Sequence, residues 1–109
     1  MFFSSNFALA DEPKNITFRE LPISLQVVSI CESGADHDLS NGKLIRSRTN
    51  DIGLMQINLK VHSNRAMREG FNIYSPNGNL AYGLYLYNRY GLAPWEASSR
   101  CWRKQLAML

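Results

Sequence analysis

Apolar residues recur at helical spacing along several stretches of the chain. From Leu21 to Cys31 they fall at Ile23, Val27 and Ile30, with Leu25 and Val28 widening the stripe, which predicts a buried helix. Pro22 suits its first turn, where the missing N–H forfeits no hydrogen bond, and Gly34 suits its stop near Ser33. Val61 to Glu69 reads as a second helix stopped by Gly70. The clearest pattern runs from Asn79 to Tyr90, with Leu80, Gly83, Leu84, Tyr87 and Tyr90 near one face, Gly91 behind it and a turn at Ser75-Pro76-Asn77-Gly78 before it. Pro94-Trp95 opens a short final helical segment through Cys101-Trp102. Between the first two helices, residues 38–45 set Asn41-Gly42 between short apolar runs, the strongest short hairpin signal. Asn50-Asp51-Ile52-Gly53 reads as a cap or turn leading into Leu54-Met55-Gln56-Ile57. The pattern predicts a mainly α (α+β) fold: a single small domain of four or five helices with one short β-hairpin and no internal repeat.

With 109 residues there is room for one domain. At 45% hydrophobic and 19% charged residues, the chain can bury a core and is not disordered by composition. No run approaches the roughly 18 apolar residues of a membrane span. The net charge of +3 favours an anionic partner without choosing one. Nucleic-acid binding would need a larger cluster than Lys60, Arg65 and Arg68. Ala8-Leu9-Ala10 has the small-x-small form cut by signal peptidase, so residues 1–10 read as the tail of a signal peptide. Residues 11–21 form a polar lead-in, and 22–109 the domain. Cys31 and Cys101 are the only cysteines. With His37 and His62 they match no zinc spacing. In an exported protein they read as a disulfide, and in a cytosolic one as two free thiols.

Glu32 is the most suggestive single residue. It closes an apolar helix, where burial and the negative end of the helix dipole both disfavour the charged carboxylate. A carboxyl kept protonated near neutral pH is what a general acid requires. In Gly53-Leu54-Met55-Gln56-Ile57-Asn58 a flexible glycine precedes amide side chains that suit sugar recognition, since they both donate and accept hydrogen bonds. Tyr82, Tyr85, Tyr87, Trp95 and Trp102 offer faces for stacking, although at helical spacing most are expected in the core, with two or three lining a groove. A cysteine nucleophile pair of Cys31 with His37 or His62 is disfavoured by their expected positions. The Asp36-His37-Asp38 and Asn41-Gly42 stretch lacks the acidic residue that would close a calcium loop.

Side by side, these residues resemble the soluble lytic transglycosylase domain of the lysozyme-like superfamily. Cys31-Glu32-Ser33-Gly34 looks like that family's Glu-Ser motif, Gly53-Leu54-Met55-Gln56 matches its Gly-Leu-Met-Gln motif, and Asn79-Leu80 with Gly83 is similar to the Asn-Ile-x-x-Gly start of its next helix. Together they span residues 22–102. The family's Ala-Tyr-Asn-x-Gly motif, whose tyrosine approaches the catalytic site, is replaced by Trp95-Glu96-Ala97-Ser98-Ser99-Arg100-Cys101-Trp102. That ending, with Cys-Glu-Ser-Gly, looks like the resuscitation-promoting factors, a small secreted branch of the same superfamily.

The resemblance implies a lysozyme-like domain that cleaves the β-1,4 bond between N-acetylmuramic acid and N-acetylglucosamine in peptidoglycan glycan strands. Glu32 would act first as acid and then as base. Taking the proton of the muramyl 6-hydroxyl gives a 1,6-anhydro end, the lytic transglycosylase outcome; taking that of water gives hydrolysis. Ser33, Gly53, Met55, Gln56, Asn79 and Trp95 are the implied substrate-binding residues, and Cys31 pairs with Cys101. No cofactor or metal is implied, no nucleic acid, and a monomer is expected, either periplasmic, wall-associated or extracellular. Glycosidases commonly use a second carboxylate, for which Asp36, Asp38 and Asp51 are the candidates; Asp51 lies closest to the Gly-Leu-Met-Gln segment, where an Asp more often caps a helix. A non-catalytic wall-binding module and a cytosolic helical interaction domain remain the alternatives.

Overall fold

The longest apolar pattern becomes the central helix. Ser75 accepts from the Gly78 backbone N–H at 3.1 Å, and Pro76 takes the first turn. The expected turn at 75–78 is therefore the start of this helix, because a serine cap followed by proline satisfies the free N–H groups there. The helix runs Pro76–Tyr90 and buries Leu80, Ala81, Tyr82, Tyr85 and Leu86. Phe71 packs on Tyr82 and Tyr85 with ring centroids 5.3 and 5.1 Å away, the edge-on and tilted arrangements aromatic rings favour.

The computed structural model describes residues 12–109; the expected signal-peptide tail at 1–10 lies outside the described residues. Among these, the helices are α1 (Ile23–Ser33), α2 (Leu59–Arg68), α3 (Pro76–Tyr90) and α4 (Ser99–Ala107), with 3-10 segments at Phe18–Glu20 and Ala93–Ser98. A two-stranded antiparallel sheet joins β1 (Asp51–Ile52) to β2 (Ile57–Asn58), with Asp51 opposite Asn58 and Ile52 opposite Ile57. The mainly helical domain with a short β element predicted from the pattern is what forms. No described helix is long and apolar enough to cross a membrane.

Two local expectations change. The Asn41-Gly42 turn forms, with the Leu39 N–H bonded to the Lys43 carbonyl at 2.7 Å, but its arms meet only at the single bridge of Asp38 with Leu44. Residues 38–43 are all exposed and Leu44 is only partly buried against the core, so this hairpin buries little, whereas Ile52 and Ile57 are both buried and hold the longer strand pair. In α1 the buried face is Leu25, Val28 and Ser29, while Ile23 and Ile30 stay 56% and 52% exposed. Residues 25, 28, 29 and 32 form one i, i+3, i+4, i+7 stripe, so Glu32 is the last member of the inward face.

The polar lead-in is packed. Ile16 and Leu21 belong to the core, the Ile16 N–H donates to the Asn77 carbonyl at 3.2 Å, and Glu12 pairs with Arg89 at 2.9 Å. At the other end, Cys31 and Cys101 form a disulfide whose Cα atoms lie 5.9 Å apart, fastening the end of α1 to α4.

Candidate functional site

The end of α1 is set by Gly34, which adopts a left-handed φ of 71° that a residue without Cβ takes cheaply. Glu32, half-buried two residues before it, accepts a hydrogen bond on Oε2 from the Ser98 hydroxyl at 2.6 Å. Burial pushes the Glu32 carboxyl above its ordinary range; the Ser98 bond opposes that, and the nearby negative charge of Asp51 adds to it. The carboxyl therefore keeps its proton to higher pH than an exposed glutamate does.

Asp51 is the opposite case. Its Oδ2 accepts from Ser47 at 2.6 Å and Thr49 at 2.5 Å, and its Oδ1 from Asn58 at 2.9 Å. Burial alone would raise its pKa, but the bonds from Ser47, Thr49 and Asn58 outweigh it and hold the carboxyl below the usual range. Asp51 does not cap a helix; Asn58 does, accepting from the Val61 N–H at 3.0 Å. Of the three candidate second carboxylates, Asp51 is the one whose charge bears on Glu32, and Asp36 and Asp38 are exposed. One carboxyl raised and one lowered in pKa is the kind of pair that can divide acid and base roles.

The tight turn Gly53-Leu54-Met55-Gln56 follows β1. Gly53 has φ 75°, and a Cβ there would lie 2.6 Å from both Asn79 Nδ2 and His37 Cε1, so both conformation and contact require glycine. Side chains from four directions hold the turn. Ser29 and Ser33 donate to the Leu54 carbonyl at 2.9 and 2.8 Å, and His37 Nδ1 accepts from the Leu54 N–H at 3.3 Å. Asn79 Oδ1 accepts from the Met55 N–H at 2.8 Å, and Trp95 Nε1 donates to the Met55 carbonyl at 2.8 Å. Asn79 also donates to the Ile52 and Ile73 carbonyls at 3.0 and 2.9 Å. Buried backbone groups need such partners, and this need explains why an Asn opens the inner face of α3.

The expected substrate-binding residues thus separate. Met55 and Asn79 are fully buried, and a Cβ on Gly83 would come within 2.8 Å of Met55 Cγ; Asn79 and the half-buried Ser33 both bond the turn. Gln56 and Trp95 line a small recess of about 70 Å³ together with Asp51, Asn58, His62 and Pro94. Glu32 does not line it; Ser98, which bonds Glu32, also bonds the carbonyl of Trp95, which does. Tyr82, Tyr85 and Trp102 are core, so of the aromatics offered for stacking only Trp95 borders this recess. A larger groove of about 290 Å³ is lined by Met67, Phe71, Ile73 and Tyr74 among others; it holds no carboxylate and none of the expected site residues.

No protein-family model, curated protein or solved structure matches this chain.

Several contributors escape a reading of the sequence. Ser29 shares a face with Ser33 one turn on, a spacing visible in principle. His37 is buried, with Nε2 2.9 Å from the Tyr74 carbonyl and Nδ1 accepting from the Leu54 N–H, so it clasps two loops together. His62 sits against the Tyr82 hydroxyl at 3.0 Å, and burial followed by the charge of Arg65 lowers its pKa. With the sulfurs joined, neither histidine has a thiol to activate. Among the described residues no three His, Cys, Asp or Glu side chains gather as a ligand set for a metal.

Proposed function

We propose that this chain cleaves the β-1,4 glycosidic bond between N-acetylmuramic acid and N-acetylglucosamine in bacterial peptidoglycan, with Glu32 as its acid and base. The observation that carries the reading is the pair of carboxyls: burial raises the pKa of Glu32, whereas three side-chain donors lower that of Asp51, which lines a small recess. The motifs around Glu32, Gly53 and Asn79 supply the choice of substrate. Glu32 gives its proton to the glycosidic oxygen as the bond breaks and the sugar ring gains oxocarbenium character. The resulting carboxylate then takes a proton from the attacking hydroxyl.

With the muramyl 6-hydroxyl as attacker the product is a 1,6-anhydro end, the lytic transglycosylase outcome that the motifs favour. Asp51 is the specific observation that favours the second reading, hydrolysis, because an anion there can steady the cation or orient a water. The disulfide supports an exported protein, since such bonds persist in oxidising compartments. Incubation with purified peptidoglycan tests the reading. The unmutated chain releases soluble muropeptides, and Glu32→Gln, with an unchanged melting temperature, releases none. Binding to the wall without release from the unmutated chain would instead make it a binding module.

A further inference from the structure

We propose that Ser98 is the positioning residue of the Glu32 carboxyl, its single hydroxyl proton turning between Glu32 and the Trp95 carbonyl as Glu32 gains and loses its own. This deepens the proposed function and rests on it. Two contacts carry it: Ser98 Oγ lies 2.6 Å from Glu32 Oε2 and 3.1 Å from the Trp95 carbonyl oxygen. One hydroxyl has one proton and two acceptor lone pairs, so it cannot donate to both at once. While Glu32 is a carboxylate, Ser98 donates to it. When Glu32 rests protonated on Oε2, it donates to Ser98 Oγ and the serine proton turns to the Trp95 carbonyl; transfer to substrate exchanges that bond for one to the leaving oxygen. That carbonyl is fixed for the purpose, since Trp102 Nε1 donates to it at 2.9 Å and the Trp95 indole is anchored on the Met55 carbonyl.

Both protonation states of Glu32 are thereby hydrogen-bonded in one geometry, the carboxylate by the stronger, charge-assisted bond, with no side chain displaced except a rotating hydroxyl. This is what a single group serving as acid and then as base needs. The proton balance is simple. Glu32 gives one proton to the leaving oxygen and recovers one from the attacking hydroxyl, while Ser98 keeps its own throughout. The other charges around Glu32 are few. Asp51 on β1 acts on it; Glu96 of the 3-10 segment is exposed and paired with Arg103 of α4 at 3.4 Å. Arg100 on α4 is exposed, and Tyr87 of α3 binds the Ser24 hydroxyl at the far end of α1.

The test compares Ser98→Ala and Ser98→Thr with the unmutated chain by carboxyl NMR titration of Glu32 and by the pH profile of muropeptide release. Ser98→Ala removes the bond that favours the carboxylate, so the Glu32 midpoint and the alkaline limb both move up. Turnover falls roughly 10- to 100-fold, the range expected for a hydrogen bond to a charged group, while KM stays, because Ser98 does not touch substrate. Ser98→Thr keeps the hydroxyl and restores the midpoint and most of the turnover. An unmoved midpoint in a folded Ser98→Ala protein overturns the proposal, as does a Ser98→Thr protein as defective as Ser98→Ala. A moved midpoint in a chain whose unmutated form releases nothing supports the contact and overturns the function on which it rests.

Discussion

Glu32 and Asp51 show how two carboxyls acquire opposite pKa shifts from ordinary surroundings. Glu32 ends the inward face of α1, where burial resists ionisation; Asp51 sits in a loop rich in hydroxyl and amide donors that favour it. The coupling has a sign that can be read. On the proposed mechanism Glu32 must be protonated to act, so cleavage should fall as pH rises through its raised pKa. Asp51→Asn removes a negative charge that raises that pKa, so the alkaline limb moves to lower pH, opposite to the shift expected for Ser98→Ala. A pH profile of product release checks this, and an alkaline limb that stays in place in Asp51→Asn would contradict the coupling. Glu32 was legible in the sequence as a residue closing an apolar helix. Its partner Ser98 was not, because the two lie 66 residues apart and nothing local links them. Asp51 was visible only as one of three acids, since choosing among them needs the hydroxyls of Ser47 and Thr49 folded around it.

At the scale of elements, the turn between β1 and β2 is the piece that α1, α3 and the 3-10 segment converge on. Asn79 is central to it, satisfying the Met55 N–H and the Ile52 and Ile73 carbonyls from a fully buried position. Leaving buried polar groups unpaired costs about 1–3 kcal/mol each, so Asn79→Ala should lose at least about 3 kcal/mol in urea unfolding. A stable Asn79→Ala protein with weakened substrate binding would instead put Asn79 on the ligand. Helix positions followed from periodicity and caps, with α1 and α3 ending at their glycines. The phase of α1 did not, because Ile23, Val27 and Ile30 form as good a stripe as Leu25, Val28 and Ser29, and only the packing partner chooses between them. The 38–45 hairpin closes by a single bridge for a related reason: Asn41-Gly42 is a good turn, but a longer strand pair also needs an apolar face.

For the whole molecule, the Cys31–Cys101 bond closes a separation of 70 residues and ties the helix bearing Glu32 to the segment that follows Ser98. On the chain-entropy account a loop of this length contributes about 4 kcal/mol, a large share of a small domain's stability. Reduction should lower the unfolding free energy by about that amount in denaturant titrations; an unchanged midpoint would mean the bond constrains little. Thiol counting on protein isolated from its source should find none free, whereas two reduced thiols would favour the cytosolic interaction domain. The packed lead-in, with Glu12 on Arg89 and Ile16 in the core, was hidden because its polar composition reads as loop while two scattered apolar residues do the anchoring.

The central claim is glycan cleavage at Glu32, and mass spectrometry of a defined peptide-free glycan strand of alternating N-acetylglucosamine and N-acetylmuramic acid tests it most directly. The strand should be cut on the muramic acid side by the unmutated chain and left whole by Glu32→Gln. Fragments lighter by one water mark the 1,6-anhydro product, and reducing ends mark hydrolysis aided by Asp51; either supports the claim. An intact strand after incubation with the folded, disulfide-bonded protein, or equal cleavage by Glu32→Gln, would contradict it.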